Sequence, residues 1–145
     1  MDIDSFHIML EEISGEIPDE LFKELNGGVV VLPEAQLHPD SASHSPLYTL
    51  GEYRVQKPGL GRYIAIFYGS FVKIYGENPN PERLRKELRK TLRHEFRHHI
   101  ESLAGARDLE IEDRMNLLKY KSRIGNNKAK VFIVKKPNGR NEPKT

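Results

Sequence analysis

The segment His94-Glu95-Phe96-Arg97-His98 puts two imidazoles four residues apart, with a carboxylate directly after the first. In a helix, those histidines stand one turn above each other, and both rings can reach one Zn2+ at about 2.0–2.1 Å. Glu95, the next residue round the helix, can meet a metal-bound water without ligating the ion, which is the position of a general base. This spacing predicts metal-assisted hydrolysis. The 145 residues include no cysteine, so thiolate ligands, disulfides and a cysteine nucleophile are excluded. Any metal must rest on His and carboxylates.

A catalytic zinc takes three protein ligands and keeps one position open. Glu101 lies seven residues from His94, a rise of roughly 10 Å along a continuous helix, too far for one ion to bridge. A third ligand is better supplied by chain that has turned back. Gly105 is a natural helix stop, and Asp108 is then the first carboxylate able to point at the metal, with Glu110, Glu112 and Asp113 behind it. Asp108 reads equally well as the N-cap of a following helix. His99 falls on the apolar face and reads as a core histidine.

The element that must carry this motif is the clearest in the chain. Asn80 is a good N-cap, Pro81 a good first residue, and Glu82 adds negative charge to the first turn. Leu84, Leu88, Leu92, Phe96, His99 and Leu103 share one face, while Arg85, Arg89, Lys90, Arg93 and Arg97 crowd the other side. Upstream, Ser5 is placed to cap a helix whose Phe6, Met9, Leu10 and Ile13 follow the helical period, ending at Gly15. Pro18 opens a short second helix through Leu21, Phe22 and Leu25, which stops at Gly27-Gly28. Val29 to Leu32 reads as a buried strand closed by Pro33. Residues 33–61 hold four of the nine prolines and read as a long loop with a short strand near Tyr53 to Val55. Tyr63 to Tyr68 and Phe71 to Tyr75, separated by Gly69-Ser70, predict a hairpin or one bent strand. The Tyr63 to Phe67 strand is a candidate edge for pairing with an extended substrate, and Tyr68 or Tyr75 a candidate oxyanion donor. A further helix is expected after Asp108, with Ile111, Met115 and Leu118 on its apolar face, and a last strand over 130–134.

The stretch YIAIFYGSFVKIYGENPNPERLRKELRKTLRHEFRHHIESLAGARD resembles the small bacterial zincin-like metallopeptidases, or minimal zincins. Their motif runs H-E-x-x-H-x-x-G-x-x-D after a strand, a Pro-containing turn and a helix rich in Glu and Arg. The acidic first helix, the Pro18 turn, Val29 to Leu32 and the LGEYR segment at Leu50 to Arg54 extend the likeness over roughly residues 6–113. The resemblance implies an α+β fold: a minimal zincin-like single domain with a small mixed sheet packed on a long active-site helix plus N-terminal helices. It implies Zn2+ on His94, His98 and Asp108, Glu95 as general base, and a peptide or protein substrate. In this chain the Gly slot holds Glu101, and Gly105-x-x-Asp108 follows four residues later.

Length and composition fit one soluble domain over residues 1–145, with a basic tail from about 121. Residues 1–26 carry eight acids and one base, and residues 114–145 carry ten bases and one acid, within a net charge of +2. Such polarity pins the ends of a chain together or marks a tail; the spread of the bases favours a solvated tail. No apolar run approaches the roughly 20 residues of a membrane span, and the acidic start lacks a secretory pattern, so a cytoplasmic protein with no membrane partner is expected. Two rivals to the peptidase remain: a metal-binding or interaction protein that cleaves nothing, and a nucleic-acid module using the Arg/Lys helix face. Glu82, Glu87, Glu95 and Glu101, interleaved on that helix, weigh against nucleic acid.

Overall fold

The structure is a computed structural model that describes residues 1–42, 44–109 and 132–134, without the side chains of 107–109 and 132–134. Helix α1 (Ile3–Ser14) begins one turn earlier than the Ser5 cap predicts, because the Asp2 carboxylate accepts the Ser5 N–H at 2.8 Å. Its Phe6, Met9, Leu10 and Ile13 are all buried. The second helix reduces to a 3-10 turn (Asp19–Phe22). Lys23 leaves it extended and Glu24 turns left-handed at φ 64, so Phe22 and Leu25 anchor the segment to the core without a further helical turn.

Strands β1 (Gly28–Leu32), β4 (Gly51–Gln56), β5 (Gly61–Phe67) and β6 (Phe132–Val134) form one mixed sheet in the order β4-β5-β1-β6. β1 runs parallel to β5, while β4 on β5 and β6 on β1 are antiparallel. Short strands β2 (Gln36–Leu37) and β3 (Tyr48–Thr49) form a separate antiparallel pair within the expected loop. Part of the basic C-terminal region is therefore a sheet strand: Phe132–Val134 pairs with Val29 to Val31. The arrangement is α+β, a small mixed sheet with helices.

Two sequence expectations fail here. β5 lies between β4 and β1, so it is an interior strand, and β4 forms the edge on its side. Tyr68 to Tyr75 is helix α2 (Tyr68–Tyr75), not a strand. The ladder explains this: Leu32↔Phe67 is the last pair of β1 with β5, so an extended chain beyond Phe67 has no partner on β1. A helical turn instead buries Ser70, whose hydroxyl accepts the Gln36 N–H at 2.9 Å, and sets Phe71 against Phe6 with ring centroids 5.3 Å apart. Gly69 permits the turn, because a β-carbon there would lie 2.5 Å from the Ala35 nitrogen.

Helix α3 (Pro81–Leu109) starts as predicted, with the Asn80 side-chain oxygen accepting the Arg83 N–H at 3.0 Å. Leu84, Leu88, Leu92 and Phe96 join α1 and the Val29, Val31, Ile64, Ile66 face of the sheet in one core. Val30, Leu32, Tyr63, Ala65 and Phe67 form a second buried cluster on the opposite face. Part of the helix's basic side serves packing: Arg85 pairs with Glu12 at 3.0 Å, and Arg89 grips Glu16 through two bonds of 2.7 and 3.1 Å. The acidic first helix thus meets α3. Among the described residues, no helix is long and apolar enough to cross a membrane.

Candidate metal centre

His94 and His98 lie on consecutive turns of α3, both exposed, with their Nε2 atoms 3.1 Å apart and their rings nearly perpendicular at 88°. Two ligands of a tetrahedral ion at about 2.0–2.1 Å stand roughly 3.3 Å apart, so the observed spacing suits two vertices of one zinc. The same 3.1 Å is a hydrogen bond in which one Nε2 donates to the other, so a bound ion would take the place of that shared proton. On the far side of His98, Nδ1 faces the Glu101 carboxylate at 3.6 Å. Glu101 therefore meets the outer nitrogen of this imidazole, the place of a carboxylate that orients a ligand histidine.

Glu95 differs from its neighbours, with only 6% of its surface exposed. Burial raises its pKa above the ordinary carboxylate value, against the opposing pull of His94, His98 and the Tyr53 backbone N–H, which donates to it. The donor belongs to β4, so the edge strand holds the carboxylate beside the histidine pair. A carboxylate with raised proton affinity, next to two exposed imidazoles, is equipped to take and return a proton.

Behind this surface lies a polar network that the sequence reading did not find. His99 is fully buried, as its place on the apolar face predicted, with Nε2 2.8 Å from the Lys23 carbonyl and Nδ1 2.9 Å from the Tyr53 hydroxyl. A carbonyl only accepts, so the proton is on Nε2, and Tyr53 donates to the bare Nδ1. Arg62 donates to the Tyr53 oxygen at 2.9 Å and to Ser102 at 2.5 Å, which ties β4, β5 and α3 together. Burial, with the nearby Arg62 charge, lowers the His99 pKa despite the Lys23 bond. Tyr53 thus reaches Glu95 through its backbone and His99 through its side chain. Its place in LGEYR, with aromatic and charged residues alternating, was the available signal.

The remaining expected residues are not gathered here. Tyr68 donates to the Met1 carbonyl and Tyr75 lies under the Arg83 guanidinium, so neither hydroxyl is an oxyanion donor at the histidine pair. Gly105 does not stop the helix, which continues through Leu109. Asp108, ten residues past His98 on the same helix, is carried about 15 Å along the axis and is not brought to the pair by this backbone. Its side chain, together with Glu110, Glu112 and Asp113, lies outside the described residues. Among the described residues, no group of three His, Asp or Glu has the geometry to hold a metal.

No family model matches this chain, and no curated protein does. A solved structure of a conserved hypothetical protein from T. thermophilus is similar to it, at 36% identity and a TM-score of 0.61. The match spans 72% of this chain and 98% of that one.

Proposed function

The chain belongs to the same family as that conserved hypothetical protein, and from the geometry of its own histidine pair we propose that it is a zinc-dependent hydrolase of peptide bonds. The observation that carries the proposal is the 3.1 Å separation of the two exposed Nε2 atoms beside a buried carboxylate. His94 and His98 would hold the ion. When bound, zinc supplies Lewis acidity, bringing the pKa of a water toward about 7 and polarising a carbonyl. Glu95 accepts a proton from the attacking water as its oxygen bonds to the carbonyl carbon, then hands that proton to the amine as the C–N bond breaks. The Tyr53 N–H favours the ionised form of this carboxylate. By the resemblance Asp108 would be the third ligand, and the helix that continues through Leu109 does not bring it to the pair.

One observation favours a second reading, a metal-binding protein without hydrolysis: among the described residues only two ligands converge. The test uses protein purified without added metal. One zinc per chain is expected, and His94→Ala should weaken zinc binding at least about 100-fold, since loss of a mere ligand-orienting group costs 10–100-fold. Glu95→Gln should retain zinc yet lose cleavage of a peptide library read by mass spectrometry. An inert, zinc-loaded wild type leaves the second reading standing, and failure to bind zinc overturns both.

A further inference from the structure

Beside the histidine pair, α3 carries a line of cations that the packing does not use. Lys86, Lys90, Arg93 and Arg97 recur at steps of four, three and four residues, so they lie along one stripe of the helix. All four are exposed, and among the described residues none has a carboxylate within ion-pair distance, whereas Arg85 and Arg89 are committed to α1. The stripe runs about 17 Å along the axis. Lys90 stands one turn before His94, and Arg97 lies between the two histidines in sequence. The cations therefore lead to the metal pair, not away from it.

We propose that this stripe is a docking surface for an acidic peptide segment and that it selects acidic substrates for the neighbouring site. The word substrate rests on the hydrolase reading; the docking surface does not. The molecule already shows the matching chemistry one step round the same helix. There Arg85 and Arg89, four residues apart, hold Glu12 and Glu16, also four residues apart, with a two-bond grip on Glu16. The stripe repeats that spacing; Arg93 is near enough to Glu16 to help lower its pKa, but among the described residues none of the four cations forms an ion pair. A nucleic acid fits less well, because the stripe is convex and single strands are held in grooves where bases stack on aromatic rings. No Phe, Tyr or Trp is interleaved among residues 83–95. Phe96, the next, is buried.

The test is fluorescence anisotropy on the full chain in EDTA, where no cleavage intervenes. The probes are a labelled twelve-residue peptide with Glu at every third or fourth position, its Gln counterpart, and an oligothymidylate of equal length. The Glu peptide should bind most tightly, and binding should collapse between 50 and 500 mM salt as the screening length falls toward a few ångströms, about 3 Å at 1 M. Exposed ion pairs each contribute up to about fivefold, so Lys90→Glu/Arg93→Glu/Arg97→Glu should weaken it at least roughly tenfold. An unchanged thermal melt checks that this triple variant folds, and Lys86→Gln/Lys90→Gln gives a milder second measurement. Equal affinity for the Glu and Gln peptides overturns the proposal, as does tighter binding of the oligonucleotide or indifference to both sets of substitutions. None of these outcomes alters the zinc and Glu95→Gln results, so the two readings fail separately.

Discussion

Tyr53→Phe removes a single oxygen from the middle of the buried network. That oxygen donates to Nδ1 of His99, a side chain with 0% exposure, and accepts from Arg62. Without it, Nδ1 becomes a buried acceptor with no donor, since Nε2 remains tied to the Lys23 carbonyl. Leaving such a group unsatisfied costs about 1–3 kcal/mol, and a bond to a charged donor contributes about 1.5–3 more. Arg62 keeps Ser102 and is only half-buried, which moderates the second loss. The expected destabilisation is therefore about 2–3 kcal/mol. With a urea slope of roughly 1–3 kcal/mol/M for a chain of this size, the midpoint should fall by about 0.7–3 M at unchanged slope. Circular dichroism in urea reads both quantities. The same substitution in a His99→Leu background should cost clearly less, because the pair is coupled. A loss below about 0.5 kcal/mol, or full additivity, would refute the proton assignment on which this network rests.

Acid should expose the same histidine. Burial holds the His99 pKa below its usual 6.5, so the unfolded chain binds the proton more readily. The stability this neutral ring contributes is present above that value and is lost as pH falls through it toward the lowered folded value. His99→Gln should flatten the decline, measured as melting temperature against pH. Glu95 has the opposite sign: burial raises its pKa, so its contribution is present below the usual 4.5 and is lost as pH rises through the folded value. Gly69→Ala would place a β-carbon 2.5–2.7 Å from the backbone of residues 33–35, which cannot give like a side-chain tip. A loss of about 1–3 kcal/mol is expected, and an unchanged melt would contradict the close contact.

The elements that the sequence revealed are those whose signals are local and agree with one another. Asn80, Pro81 and the apolar spacing Leu84-Leu88-Leu92-Phe96 all specify one helix from one starting point, and α3 begins there. Val29 to Leu32 likewise carries an unmixed signal and forms the buried centre of the sheet. Tyr68 to Tyr75 misled because its residue types favour strands, while its conformation is decided by where β1 ends and by the backbone of residues 33–35 pressing on Gly69. Which strand lies at the edge is also a property of the whole sheet. β4, which extends the short strand expected near Tyr53 to Val55, has the outer place because it pairs along six positions with β5, whose other side β1 occupies.

The candidate site divides along the same line. A helix alone fixes where residues four apart stand, so the convergence of His94 and His98 needs nothing from the remainder of the fold. The surroundings of Glu95 need more: its burial and the Tyr53 N–H come from a strand some forty residues earlier in the chain. The expected stop at Gly105 was an argument from propensity, and one helical glycine costs only about 1 kcal/mol against alanine. A stop in the common glycine form uses the left-handed conformation, and Gly105 is not among the glycines with positive φ. Nor does anything lie within 4 Å of where its β-carbon would be, so no packing contact requires a glycine there. With neither a left-handed cap nor a close contact, cooperative propagation from the preceding turns carries the helix through, and Asp108 travels along the axis with it.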